Sequence, residues 1–176
     1  GGQRVPCLVR WPGVVPAGAT CGEVATAMDF LPTFAELAAA ALPDDRVIDG
    51  RSIAPLITGQ PGARSPHDAF FYYFMDRLQA VRCGRWKLHV ATRQGPVCEL
   101  YDLQTDIGES RNLADDHPDI VRDLRVRIDA CRHDLGDAVT GIKGIHRRPV
   151  GRVDDARPLA AHDEAHPYII AMYDLP

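Results

Sequence analysis

Between Phe70 and Leu103 the chain breaks into four short runs, Phe70 to Met75, Leu78 to Cys83, Trp86 to Ala91 and Val97 to Leu103, parted by brief polar breaks such as Gly84-Arg85 and Arg93-Gln94-Gly95. Runs of this length rich in aromatic and branched residues predict strands. Connections this short force neighbouring strands antiparallel, because a parallel return needs a crossover of about a dozen residues or more. A helix is predicted next, with Pro118 near its start, Ile120, Val121, Leu124, Ile128, Cys131 and Leu135 on one face, and Gly136 as its stop. Its apolar stripe is expected to cover one face of a small antiparallel meander.

Upstream, Arg4-Val5-Pro6-Cys7-Leu8-Val9-Arg10-Trp11 closes on Pro12-Gly13 and predicts a strand buried on both faces. Asp29 is expected to cap a helix carrying Phe30, Leu31, Phe34, Leu37, Ala38 and Ala41 at helical spacing, stopped by Pro43. Asp49-Gly50-Arg51-Ser52 reads as a turn, followed by one helical turn through Ile53, Leu56 and Ile57 that ends at Gly59. A Pro- and Gly-rich connector runs from Gln60 to Pro66. The division expected is 1–65, 66–136, and an extended tail over 137–176 whose apolar run Tyr168 to Tyr173 docks on the body.

A chain of 176 residues with 45% hydrophobic content and a net charge of -4 is long enough for a core without a disulfide framework. Lys and Arg are scattered, with no basic face to neutralise phosphates, so nucleic acid is not an expected partner. No apolar run approaches the roughly 20 residues that cross a bilayer, so no membrane partner is expected. The opening Gly1-Gly2-Gln3-Arg4 carries neither an initiator Met nor a signal peptide, and the true beginning is expected to lie further upstream. Five scattered cysteines, Cys7, Cys21, Cys83, Cys98 and Cys131, lack a C-x-x-C pair and read as buried thiols with at most one disulfide, which leaves the compartment open.

The order of blocks resembles the second half of the sulfatase family. Gly1-Gly2-Gln3-Arg4-Val5-Pro6 with Trp11-Pro12-Gly13 comes first, then Asp29-Phe30-Leu31-Pro32-Thr33, then Asp49-Gly50-Arg51-Ser52 with Pro55-Leu56. Ala80-Val81-Arg82-Cys83-Gly84-Arg85-Trp86-Lys87-Leu88, Glu99-Leu100-Tyr101-Asp102-Leu103, and Asp106-Ile107-Gly108-Glu109 with Asn112-Leu113-Ala114 follow. Ile107 stands where family members usually have Pro. The resemblance implies an α/β alkaline-phosphatase-like fold, of which this chain supplies the end of the large sheet domain plus a small four-stranded antiparallel sheet covered by a helix. It implies a sulfate ester hydrolase with a formylglycine nucleophile, made by a formylglycine-generating enzyme from Cys or Ser in C/S-x-P-x-R, and with calcium or magnesium. No cysteine or serine here fits that pattern, so no catalytic or metal residue is expected in this chain, which should be inactive alone. Within the superfamily a phosphodiesterase or phosphonate monoester hydrolase is the alternative; outside it, a non-catalytic binding module.

Three residues are candidates for a substrate cleft. Arg4 follows the glycine pair that lies at the active-site edge in similar proteins; an Arg satisfying buried carbonyls or a carboxylate is the competing reading. Lys87 and His89 alternate with Trp86 and Leu88, so the polar pair shares one strand face that either leans toward substrate or is simply solvated. The aromatic run Phe70 to Phe74 reads as sheet packing, and His117 as a residue at the helix start. His146, His162 and His166 near Asp163 and Glu164 have no metal-ligand spacing and read as solvated polar residues.

Overall fold

The computed structural model describes residues 3–147 and 154. The four predicted strands form β1 (Phe70–Phe74), β2 (Arg77–Cys83), β3 (Trp86–Ala91) and β4 (Pro96–Asp102), followed by the helix α3 (Pro118–Leu135). They pair in chain order as an antiparallel meander. The register sets Phe71 opposite Val81, Val81 opposite Leu88 and Leu88 opposite Leu100, which gathers these side chains on one face. Between Tyr72 and Tyr73 the register shifts so that Tyr72 faces Ala80 and Tyr73 faces Leu78. Gln79 is the extra residue of this bulge, which lets Leu78 and Val81 share the core face although they stand three positions apart.

Helix α3 lays Val121, Leu124, Ile128 and Cys131 on that face, against Leu78, Val81, Leu88 and Leu100, with Trp86 and Ile120 packed at the margin. Pro118 occupies the first turn, where its missing N–H costs nothing, and Gly136 ends the helix at φ 88°, a value that L side chains rarely adopt. The chain then folds back on the helix end: Asp137 bridges Ile142, Ile145 N–H donates to the His133 carbonyl, and His146 N–H to that of Asp134. The run Tyr168 to Tyr173 lies outside the described residues, as do Gly1 and Gly2.

Before the sheet come a 3-10 turn at Ala27–Asp29, the helix α1 (Phe30–Leu37) and the single turn α2 (Ala54–Ile57). Helix α1 stops well short of Pro43. Ala39 turns into the left-handed region at φ 51°, with its N–H on the Glu36 carbonyl and Ala40 N–H on that of Ala35, a Schellman motif built on alanine. Arg4 to Trp11 corrects the sequence expectation more sharply: it is coil, and its side chains are exposed, Leu8 by 97%. A strand buried on both faces needs a neighbour on each side, and the sheet of β1 to β4 offers it none. The expectation of buried thiols is corrected as well. All five cysteines are free, and Cys7, Cys21 and Cys98 are exposed while Cys131 is buried. No helix among the described residues is long and apolar enough to cross a membrane.

Ile128 is fully buried beneath the sheet, whereas Val126 on the same helix is 66% exposed. Ile128→Ala should therefore lower unfolding free energy by about 2–5 kcal/mol, and Val126→Ala by less than about 0.5 kcal/mol. Urea titration of the two variants checks this, and equal losses would contradict the packing.

Candidate functional site

The sheet face turned away from α3 carries two cross-strand rows: Phe70, Arg82, Lys87 and Tyr101, and beside it Tyr72, Ala80, His89 and Glu99. Lys87 and His89 therefore do share a face, and they also share a partner. Lys87 Nζ donates to one oxygen of Glu109 at 2.6 Å, and His89 Nε2 meets the other at 2.7 Å. The Lys87 ammonium lies 4.6 Å from the centre of the Tyr72 ring, and the His89 ring meets Tyr101 edge-on at 5.7 Å. Burial pushes the Glu109 carboxyl up, but the hydrogen bonds from Lys87 and His89 outweigh it and hold the group below its ordinary value.

Glu109 reaches the sheet from the loop after β4, which is tied at both ends. The Asp106 carboxylate accepts the N–H groups of Ser110 and Arg111 and the Ser110 hydroxyl. Asn112 Oδ1 accepts the N–H groups of Leu100 and Ala114, and its Nδ2 donates to the Cys98 carbonyl, so this side chain serves the free edge of β4. At the far end of β4, buried Asp102 accepts the Arg85 guanidinium through Nε at 2.7 Å and through Nη2, together with Gln104 N–H and the Thr105 hydroxyl. The Arg85 contact, aided by those of Gln104 and Thr105, brings its carboxyl down to about 2.

The upstream blocks converge on Asp29, whose side chain is fully buried. Its carboxylate accepts Thr26 N–H at 2.7 Å and Arg51 N–H at 2.9 Å, and meets His67 Nε2 at 2.7 Å. The Asp29 carbonyl accepts the Thr33 hydroxyl, whose oxygen in turn accepts Ile53 N–H. Asp29 stands at the cap position of α1 as expected from sequence, but its side chain makes no cap bond there and works instead as a junction between three segments. Gly50 lets the segments approach: a Cβ there would sit 1.9 Å from the Met28 carbonyl oxygen. Burial pushes the Asp29 carboxyl up, and the N–H groups of Arg51 and Thr26 with the His67 ring bring it below its ordinary value.

Arg4 is exposed, with no hydrogen bond or ion pair among the described residues. His117 occupies the cap position of α3 without a side-chain capping bond, its ring 5.0 Å from that of Trp86. His146 pairs with Asp134 at the surface, while His162, Asp163, Glu164 and His166 lie outside the described residues. No group of three or more His, Cys, Asp or Glu among the described residues is placed to hold a metal ion. Sequence reasoning missed the shared role of Glu109 and the junction role of Asp29 with His67. Both acidic residues stood in quoted blocks, but the sequence offered no signal pairing Glu109 with β3.

The four-stranded antiparallel sheet with its covering helix has counterparts in sulfatases, whose fold is alkaline-phosphatase-like. The chain belongs to the family described as N-sulphoglucosamine sulphohydrolase, C-terminal, whose model matches residues 2–134. Among curated relatives it is similar to human arylsulfatase D, at 35% identity over 74% of this chain and 27% of that protein. It is also similar to mouse steryl-sulfatase, at 38% over 74% and 25%, and to human arylsulfatase A, at 34% over 80% and 32%. The chain thus spans about a quarter to a third of the length of these relatives. Among solved structures, Ps i-CgsB aligns at 25% identity and a TM-score of 0.56, over 68% of this chain and 27% of that one. BT4656, solved in complex with its substrate D-glucosamine-2-N,6-O-disulfate, aligns at 22% identity and 0.55, over 70% and 27%, and speaks to the fold. The family is one of metal-dependent enzymes.

Asp29, Asp102 and Glu109 all have folded pKa values below their ordinary ones, so the stability they contribute is complete above the unfolded values and is lost as pH falls through the folded ones. The loss should begin near the ordinary Glu109 value of 4.5, continue through the Asp29 and Asp102 value of 3.8, and for Asp102 extend to about 2. Asp29→Asn should cost about 1–3 kcal/mol at neutral pH and flatten part of this acid slope. Denaturant melts from pH 7 to pH 2 read both effects, and a variant with an unchanged slope would remove Asp29 from the account.

Proposed function

We propose that this chain is the C-terminal part of a sulfuric ester hydrolase and supplies scaffold and cleft wall while the reacting centre lies in sequence it does not contain. The observation that carries this reading is the family match across residues 2–134, which takes in every quoted block beyond the opening glycine. None of the five cysteines and no serine begins a C/S-x-P-x-R pattern. The nucleophile and the groups that hold calcium or magnesium are therefore assigned to the remainder of the protein, where a formylglycine-generating enzyme would act. The substrate is a small molecule bearing a sulfate ester, whose cleavage needs a nucleophile at sulfur, a cation on the sulfate oxygens and a proton for the leaving alcohol.

Residues 1–65 complete the large domain, and 66–136 form the subdomain that closes one side of the cleft. Arg4, Lys87 and His89 are the side chains of this chain assigned to the substrate cleft. Arg4 is exposed and available, whereas Lys87 and His89 reach a substrate only by leaving Glu109.

The test is expression of the whole reading frame, assayed side by side on aryl sulfate and aryl phosphate esters with and without a chelator. The expected result is metal-dependent cleavage that prefers the sulfate ester, with no turnover by the 176-residue chain alone. Preference for the phosphate ester, or a reading frame without C/S-x-P-x-R and paired acidic ligands, would overturn it.

A further inference from the structure

On the open sheet face a single carboxylate takes up two nitrogen donors that stand on a central strand. Lys87 Nζ and His89 Nε2 approach different oxygens of Glu109, at 2.6 and 2.7 Å. The two donors occupy alternate positions of β3, paired on both sides by β2 and β4, so their spacing is set by the sheet. The acceptor comes from a loop, and its backbone sits at φ 54°, a region non-glycine residues seldom occupy. The donors are therefore set by the sheet, and the acceptor is the half of the contact carried by a loop.

The chemistry of the contact is that of an oxyanion held by one N–H donor on each of two oxygens, which a sulfate group satisfies as well as a carboxylate does. Besides Glu109, the ammonium contacts the Tyr72 ring and the imidazole contacts the Tyr101 ring, so each donor has a second contact on the sheet. The side chains of Lys87, His89 and Glu109 keep 12%, 22% and 27% of their surface, so an ion arriving from solvent reaches the contact without opening the core.

We infer that Lys87 and His89 form a binding site for a tetrahedral oxyanion, free sulfate or the sulfate group of an ester, and that Glu109 occupies it as a built-in carboxylate until such an ion displaces it. The inference deepens the proposed function and rests on it for the choice of sulfate; the site itself rests on the geometry of the sheet. A tethered carboxylate competes at an effective concentration of about millimolar or more, so removing it should expose an affinity that the unaltered chain masks.

The experiment titrates sodium sulfate into the 176-residue chain and its Glu109→Gln variant, with ionic strength held constant by chloride. The His89 ring resonances and the thermal midpoint are the readouts. Glu109→Gln should bind sulfate at least about tenfold more tightly than the unaltered chain, and adding Lys87→Met or His89→Phe should abolish the gain. Glu109→Gly, which suits the backbone angle, serves as the second variant where Gln does not fold. A folded Gln or Gly variant that binds sulfate no better than the unaltered chain overturns the inference, as does a gain that survives the loss of Lys87 and His89. Failure of both variants to fold overturns it too, because Glu109 is then a structural member that no ion replaces. Inorganic phosphate bound with equal gain supports an oxyanion site of either kind. Absence of sulfate-ester turnover by the whole protein would count against the proposed function and leave these titrations unaffected.

Discussion

The open face owes its chemistry to the register of the central strands. Leu88 stands between Val81 and Leu100 with Ile128 above, and all four side chains are fully buried. Because side chains alternate with period two, fixing Leu88 beneath α3 fixes Lys87 and His89 on the opposite side. A slip of one residue would drive both polar groups under the helix and send Leu88 into solvent, so the core specifies the polar pair as firmly as it specifies itself. The polar face is a consequence of packing on the other side of the same strand.

Packing fixes the sheet, and acceptor side chains fix what surrounds it. Asp29 gathers Thr26, Arg51 and His67; Asp102 gathers Arg85, Gln104 and Thr105; Asp137 accepts Leu78 N–H, Val139 N–H and Arg132; Asn112 serves the edge of β4. A buried carboxylate without donors would be driven toward its neutral form, yet Asp29 and Asp102 are held on the ionised side by the groups they collect. Several blocks that carry the family resemblance thus prove to be connections. They mark where separate segments meet at one acceptor.

This explains which parts of the molecule were legible in the sequence. The β3 limits and the buried stripe of α3 follow from periodicity, a local property, and the structure returns Trp86–Ala91 and the row Val121, Leu124, Ile128 and Cys131. Arg4 to Trp11 misled because an apolar run states that burial is wanted without stating what supplies it. The end of α1 misled because Ala39 makes a left-handed turn more often made by glycine. Of the candidate site, the common face of Lys87 and His89 was readable from alternation. Their common partner was not, since Glu109 lies 22 and 20 residues further along the chain.

Two regions of unequal self-sufficiency follow from the burial pattern. From Phe70 to Leu135 the apolar side chains largely find one another between sheet and helix. Upstream they do not: Val5, Leu8, Leu31 and Phe34 are exposed by 74%, 97%, 53% and 59%. Gln3 reaches the second region directly at the Tyr73 carbonyl, while Asp29 to His67 and Glu23 to Arg64 and Ser65 hold the connector that leads into β1. Hydrogen bonds of this kind fix relative position but each adds only about 1 kcal/mol net, so they orient the upstream segment without giving it a core. Large apolar side chains are thus left open on the upstream segment, whereas the register of β3 rests on its own core and by itself keeps Lys87 and His89 on the opposite face.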